Sequence, residues 1–158
     1  MVSWIVRQVG QFAFGPIAMA LKALRAPVTL GASALIVDPE GRVALVRHTY
    51  MSGWMLPGGG VERAEPPADA ILREMGEELG TLRCDPPVFF GLYTRRSGWA
   101  TNVIAVYRLM NSSLDYRPNY EIADLKFFDP VAPPPDTTAG TLRRLAEFTG
   151  KAPLSAYW

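Results

Sequence analysis

The sequence predicts an α/β layered domain, because segments with the composition of strands alternate with segments that favour helices. Two strand-like segments at 28–37 and 42–48 precede a strong helix at 67–79, and a second helix follows later strands at 137–148. With 158 residues, 49% of them hydrophobic, the chain is expected to fold around one core.

Charge and cysteine content exclude several broad classes. The formal net charge is only +1, which is too small a surplus to argue for a nucleic-acid polymer as partner. The single cysteine, Cys84, excludes an internal disulfide, so the cytoplasm is the expected compartment.

Residues 1–27 are predicted to be an amphipathic helical extension of a domain that covers 28–158. The polar residues and Gly15-Pro16 break the apolar stretch, which argues against a spanning helix and against a signal peptide. Packing on the domain or in a homodimer is the favoured interpretation. Peripheral membrane contact through 1–26 is the alternative.

The first strands are predicted to pair as a hairpin across the turn at 38–41. A short strand is then expected at 54–56, followed by an open loop at 57–60, where Pro57 precedes three glycines. Helix formers fill 67–79, and Gly80 provides a stop.

The second half predicts another hairpin, with strands at 87–93 and 101–110 around a polar loop at 94–98. A turn-rich loop at 111–122 and a last short strand at 125–128 are expected before the terminal helix.

The predicted helix at 67–79 carries acidic residues on one face. Glu74, Glu77 and Glu78 stand at i, i+3 and i+4, so their side chains share that face. A solvated acidic surface is the ordinary meaning of such a pattern. The preceding glycines favour a different interpretation, namely a site for a metal-bound phosphate. Their backbone can approach a phosphate closely, and a divalent cation can bridge that phosphate to the carboxylates.

The same residues resemble a known family. Gly59, Glu65 and the run from Arg73 to Gly80 are similar to the Nudix box. The preceding sequence WMLPG and Val61-Glu62, which follow the glycines, also resemble the family. Two positions depart from the pattern. Thr81 stands where the box has an aliphatic residue, and Gly76 lies inside the helix, where glycine costs up to about 1 kcal/mol relative to Ala.

The resemblance implies a Nudix-type α/β/α sandwich with a mixed β-sheet, and a hydrolase that cleaves a pyrophosphate bond. The substrate would be a nucleoside diphosphate linked to another moiety, or a nucleoside triphosphate. The resemblance also implies that Glu74, Glu77 and Glu78 bind Mg²⁺, with Mn²⁺ as a substitute, and Glu78 is the first choice among these ligands. Arg73 would orient a carboxylate and Glu65 would support it. A nucleotide-binding regulatory module without turnover is the alternative, which the complete carboxylate set disfavours.

More distant residues are weaker candidates. Glu121 is the first choice for another catalytic acid and Asp124 the second, although a loop acid is commonly just solvated. The residues predicted to contact substrate are Gly58, Gly59, Gly60, Arg47, His48, Tyr50, Trp54, Arg95, Arg96 and Trp99, and the side chains among them each have an ordinary structural alternative.

Overall fold

The computed structural model describes residues 23–158 and shows the predicted layered α/β architecture. Most of the extension predicted at 1–27 lies outside the described residues. Within residues 23–158 no helix is long and apolar enough to cross a membrane. The elements are β1 (Val28–Ile36), β2 (Val43–His48), β3 (Gly58–Gly60), α1 (Pro67–Leu79), β4 (Thr81–Arg83), β5 (Val88–Ser97), β6 (Ala100–Leu109), β7 (Ser113–Asp115), β8 (Ile122–Phe128) and α2 (Ala139–Phe148).

The main sheet is mixed and has the strand order β3-β1-β6-β5. β1 is parallel to β6 and antiparallel to β3, and β5 is antiparallel to β6. Antiparallel pairs also join β2 to β8 and β4 to β7. A strand with neighbours on both sides and helices on both faces is expected to be apolar throughout, and the second half of β1 is buried at every position.

The two sides of β1 pack into different hydrophobic cores. Ala34 and Ile36 lie in the core with α1, whereas Leu35 and Val37 lie in the core that includes Leu145 of α2. This alternation follows from the two-residue period of a strand. The sheet is therefore enclosed between α1 and α2, which confirms the predicted α/β/α sandwich.

The predicted hairpin of the first two strands is wrong. Its turn forms, with Arg42 donating from its backbone and from its guanidinium to the Asp38 carboxylate at 2.7 Å. Beyond the turn only an isolated bridge joins Val37 to Val43. The backbone groups of β1 are hydrogen-bonded to β3 on one side and to β6 on the other, so β2 pairs with β8 instead.

The open loop predicted at 57–60 is also wrong, because Gly58–Gly60 pair with β1 as a strand. The pairing is a tertiary effect that overrides the weak strand propensity of glycine. The strand predicted at 54–56 is reduced to isolated bridges, from Trp54 to Thr137 and from Met55 to Val46.

The second predicted hairpin is confirmed as β5 and β6. Its strands continue through the supposed loop at 94–98, so that Ser97 still pairs with Ala100. The loop predicted at 111–122 contains the short strand β7, and the last strand begins at Ile122 rather than at 125. The first helix has the predicted bounds, and the second begins two residues later than predicted.

Candidate active site

Helix α1 fixes the acidic residues against the sheet. Its apolar face buries Ala70, Ile71, Met75 and Leu79, and this face sets the rotation of the helix about its axis. Gly80 ends the helix with φ of 83°, a conformation that favours glycine, and a Cβ there would lie 2.8 Å from the Asp115 carbonyl oxygen. The carboxylates of Glu74, Glu77 and Glu78 therefore lie on the side of α1 that faces two other segments. These are the glycine strand, which is β3 (Gly58–Gly60), and the loop at 119–121.

Arg73 organises the carboxylates around it. Its Nε donates to Glu65 Oε1 at 2.8 Å and its Nη2 donates to Glu65 Oε2 at 3.0 Å, a bidentate pair. Its Nη1 donates to Glu74 at 2.9 Å and to Glu77 at 3.3 Å. Hydrogen bonds from Arg73 and from the Glu62 backbone lower the pKa of Glu65 to about 2. Arg73 thus contacts three carboxylates, and its role in orienting them for a reaction stays a prediction.

Glu78 is the buried member of the set. Only 7% of the residue is exposed, and its Oε2 has no hydrogen-bond partner within the described chain. Burial raises the pKa of Glu78 to about 8, and the negative charges of Glu121, Glu74 and Glu77 add to the increase. This carboxylate therefore lacks the cationic partner that its ionised form requires.

The glycine strand approaches α1 closely at one position. A Cβ on Gly59 would lie 2.2 Å from Glu74 Cδ, so no other residue fits there without displacing the Glu74 carboxylate. The Arg73 guanidinium reaches the same strand, because its Nη2 donates to the Gly60 carbonyl oxygen at 3.0 Å. Gly59 is thus needed to let Glu74 of the acidic helix pack against β3.

The 119–121 loop brings another acid to this place. The Tyr50 hydroxyl donates to Glu121 Oε1 at 3.2 Å, and the charge of Glu121 contributes to the raised pKa of Glu78. Asn119, which sequence reasoning missed, holds the loop in position. Its amide donates to the Glu78 carbonyl oxygen at 2.6 Å and its Oδ1 accepts from the Glu121 backbone at 2.9 Å. The signal in the sequence that could have indicated this role is an Asn two residues before an acid in a loop, because Asn side chains often hydrogen-bond to the backbone two residues on.

These residues fit a divalent cation, although they do not form a completed metal site. Across residues 23–158 no three His, Cys, Asp or Glu side chains are gathered closely enough to hold an ion. The side chains of Glu74 and Glu77 contact Arg73 instead, and the prediction that they bind a cation together with Glu78 stays a prediction. The unpartnered Oε2 of Glu78 and the repulsion around it are what a cation would relieve.

A cavity of about 560 Å³ opens beside the glycine strand. This is within the size range of small-molecule sites. Gly58, Gly59 and Gly60 line it together with His48, Tyr50 and Arg95, and their contact with a substrate stays a prediction. Burial lowers the pKa of His48, so its ring favours the neutral form.

Other predicted contact residues lie elsewhere. Arg47 forms an ion pair with Asp136, and its guanidinium lies 4.8 Å from the centre of the Trp54 ring. Trp54 is only 4% exposed and belongs to the core. Arg96 and Trp99 line a neighbouring cavity of about 590 Å³. Asp124 forms an ion pair with Lys126 at 2.8 Å.

The C-terminal segment supplies a cavity wall that sequence reasoning missed. Trp158 lines the main cavity and packs so closely on Gly140 that a Cβ there would lie 2.3 Å from the indole nitrogen. A fully buried Arg144 holds the segment, because it pairs with Glu147 at 2.6 Å and donates to the Tyr157 carbonyl oxygen at 3.2 Å. Nothing local in the sequence marks these residues as neighbours.

Comparison with known proteins gives a consistent set of matches. The model of the NUDIX domain family matches residues 27–147. The chain is 39% identical over 66 residues to the RNA pyrophosphohydrolase of Gluconobacter oxydans (strain 621H), a match that covers 40% of this chain and 35% of that protein. It is 29% identical over 82 residues to the RNA pyrophosphohydrolase of Hahella chejuensis (strain KCTC 2396), a match that covers 52% of this chain and 45% of that protein.

A solved structure agrees in fold over more of the chain. The crystal structure of the MutT NUDIX hydrolase from Burkholderia pseudomallei superposes with a TM-score of 0.66 at 26% identity, covering 75% of this chain and 95% of that one. The chain spans less than half the length of the RNA pyrophosphohydrolases given above.

Proposed function

Because the chain belongs to the NUDIX domain family, whose model matches residues 27–147, we propose that it is a hydrolase that cleaves a pyrophosphate bond in a nucleotide-like substrate with the help of a divalent cation. The observation that carries the proposal is the buried, unpartnered carboxylate of Glu78, whose pKa is raised by burial and by the charges of Glu121, Glu74 and Glu77. Tyr50, which donates to Glu121, lines the cavity beside the glycine strand.

Glu74, Glu77 and Glu78 would hold the cation, with Mg²⁺ as the proposed ion and Mn²⁺ as a substitute. When bound, the cation lowers the pKa of an attacking water and neutralises charge on the phosphate oxygens. Oxygen ligands of this kind are those that Mg²⁺ prefers. Arg73 keeps Glu74 and Glu65 in fixed orientations through the contacts at 2.9 and 2.8 Å.

The remaining residues would bind substrate and move protons. The glycine strand leaves its surface clear of side chains where the diphosphate would lie, since Gly58, Gly59 and Gly60 line the cavity. Glu121 is the proposed second acid. It lies close enough to Glu78 for its negative charge to raise the pKa of that carboxyl, and it accepts a hydrogen bond from Tyr50. A carboxylate near the attacking water can accept its proton.

The names of the relatives suggest which substrates to test. Two of them are RNA pyrophosphohydrolases, so a 5′-triphosphorylated oligoribonucleotide belongs beside mononucleotides in the panel. We further propose that residues 28–158 form the catalytic domain and that 1–27 are an appendage whose removal leaves turnover unchanged. A cytoplasmic location is proposed because the only cysteine, Cys84, has no partner for an internal disulfide.

The test is a panel of nucleoside triphosphates, nucleoside diphosphates linked to sugars, and a 5′-triphosphorylated oligoribonucleotide, incubated with Mg²⁺ and analysed by mass spectrometry. The proposal requires cleavage at a pyrophosphate bond by the wild-type protein and its loss in Glu78→Gln. Glu40→Gln is the matched control, since Glu40 is an exposed acid in the turn after β1. Tight binding of a panel member without any cleavage would show a binding module instead.

A further inference from the structure

A row of polar side chains crosses the floor of the main cavity, away from the acidic helix. Thr29 on β1 lies opposite Asn102 on β6, and Asn102 lies opposite Arg95 on β5. Side chains at directly opposed positions of neighbouring strands share one face of a sheet. All three residues line the cavity, so they form a continuous row on it.

The row presents hydrogen-bond donors. Thr29 Oγ1 donates to Asn102 Oδ1 at 3.2 Å, which orients the Asn102 amide so that its NH₂ group remains available. Arg95 adds the donors of its guanidinium. Thr29 and Arg95 are exposed, and Asn102 is partly exposed, so a ligand in the cavity can reach them.

Within residues 23–158, Arg95 is one of several arginines without an acidic partner, and it is the arginine that lines this cavity. Arg42, Arg47, Arg73 and Arg144 each form an ion pair with a carboxylate. For Arg95, no ion pair is formed with any residue in the described range 23–158, and no residue from this range that lines the cavity is acidic. The cavity floor therefore carries an uncompensated positive charge.

The position of this charge separates it from the proposed reaction centre. β5 is three strands away from β3 in the order β3-β1-β6-β5. Since adjacent strands lie about 4.7–4.9 Å apart, the backbone at Arg95 is on the order of 14 Å from the glycine strand. A group bound at Arg95 is a different part of the substrate from the diphosphate near Gly59.

We propose that Arg95 and Asn102 bind a second phosphate group of the substrate, an ester carried by the organic moiety and separate from the pyrophosphate that is cleaved. A guanidinium matches two phosphate oxygens with its planar fork, and the Asn102 amide adds a donor beside it. Trp158 lines the same cavity and offers an apolar surface to the organic moiety. The inference rests on the proposed function only for the bond that is cleaved.

The test measures binding by isothermal titration calorimetry in EDTA, where turnover does not interfere. One pair of probes is coenzyme A and dephospho-coenzyme A, which differ by a phosphomonoester on the ribose. A second pair is the 5′-triphosphorylated dinucleotide pppApA with either its natural phosphodiester or a neutral methylphosphonate linkage. The wild-type protein, Arg95→Gln, Asn102→Asp and Arg83→Gln are compared, with Arg83 as an exposed control on β4 outside the cavity.

The wild-type protein should bind the charged member of one pair about tenfold or more tightly than its partner, as charge-assisted hydrogen bonds predict. Arg95→Gln and Asn102→Asp should abolish the preference, and Arg83→Gln should retain it. A preference within the first pair identifies a ribose phosphate, and within the second a nucleotide chain. The absence of a preference in both pairs, its survival in Arg95→Gln, or an equal loss in Arg83→Gln would overturn the proposal.

The two proposals fail separately. A preference in EDTA that depends on Arg95, together with no cleavage in Mg²⁺, would refute the proposed hydrolase activity and keep this binding site. Cleavage in Mg²⁺ without any such preference would support the hydrolase activity and refute the binding site at Arg95. Melting temperatures of all variants control for folding, and the exposed positions of Arg95 and Arg83 predict values close to that of the wild-type protein.

Discussion

The charge of Glu78 should make the metal-free protein lose stability as the pH rises. Its carboxyl has a folded-state pKa of about 8 against an ordinary value of 4.5. The folded protein therefore holds a proton that the unfolded chain releases above pH 4.5. The stabilisation from this proton is fully present below pH 4.5 and is lost as the pH rises through 8.

The size of the effect follows from the two pKa values. The proton linkage amounts to about 4 kcal/mol between pH 5 and pH 9, of which about 1 kcal/mol falls above pH 7. For a domain of this size the total corresponds to a fall of about 10 °C in the melting temperature. Glu78→Gln has no charge to titrate at this position and should lack this part of the pH dependence.

The assay is thermal unfolding followed by circular dichroism in EDTA, from pH 5 to pH 9, for the wild-type protein and Glu78→Gln. The difference between the two proteins removes the opposite contribution of His48, whose pKa is lowered by burial and which stabilises the fold as the pH rises toward 6.5. Adding Mg²⁺ at pH 8 should stabilise only the wild-type protein. Parallel pH profiles, or equal stabilisation by Mg²⁺, would refute the assignment of Glu78 as an unpartnered buried carboxylate.

Three further substitutions test the packing that supports the site. Gly59→Ala should sharply reduce metal-dependent turnover, because the new Cβ would displace the Glu74 carboxylate 2.2 Å away, and unchanged steady-state kinetics would contradict this. Gly76→Ala, where nothing lies within 4 Å of the added Cβ, should raise the free energy of unfolding by about 0.5–1 kcal/mol in urea titrations. Arg144→Met should cost about 3–5 kcal/mol in the same titrations, since it leaves Glu147 buried without its ion-pair partner. A cost below about 1 kcal/mol would show that the pair is not needed.

Local signals in the sequence predicted the acidic helix α1 correctly. The apolar period, the prolines at its start and Gly80 at its end all act within a few residues, and they set the bounds at Pro67–Leu79. The same spacing placed Glu74, Glu77 and Glu78 on one side. It did not predict that Arg73 would draw two of these carboxylates away from the third, because that arrangement depends on competing side-chain contacts.

Pairing between distant segments could not be derived from local signals. The hairpin expected at 28–48 fails because β1 finds both of its partners elsewhere, in β3 and in β6, which lies about seventy residues later. The glycine strand has no strand propensity of its own and forms only because β1 accepts it. The cavity wall at Trp158 depends equally on a long-range contact, with Gly140 and the buried Arg144.

The most direct test of the central claim is the initial rate of pyrophosphate-bond cleavage across a Mg²⁺ titration of EDTA-treated protein, compared between the wild-type protein, Glu78→Gln and Glu40→Gln. Metal-dependent hydrolysis through Glu78 predicts no cleavage without metal, saturable activation of the wild-type protein and Glu40→Gln, and no activation of Glu78→Gln. Full cleavage in EDTA, or equal activation of Glu78→Gln, would contradict it.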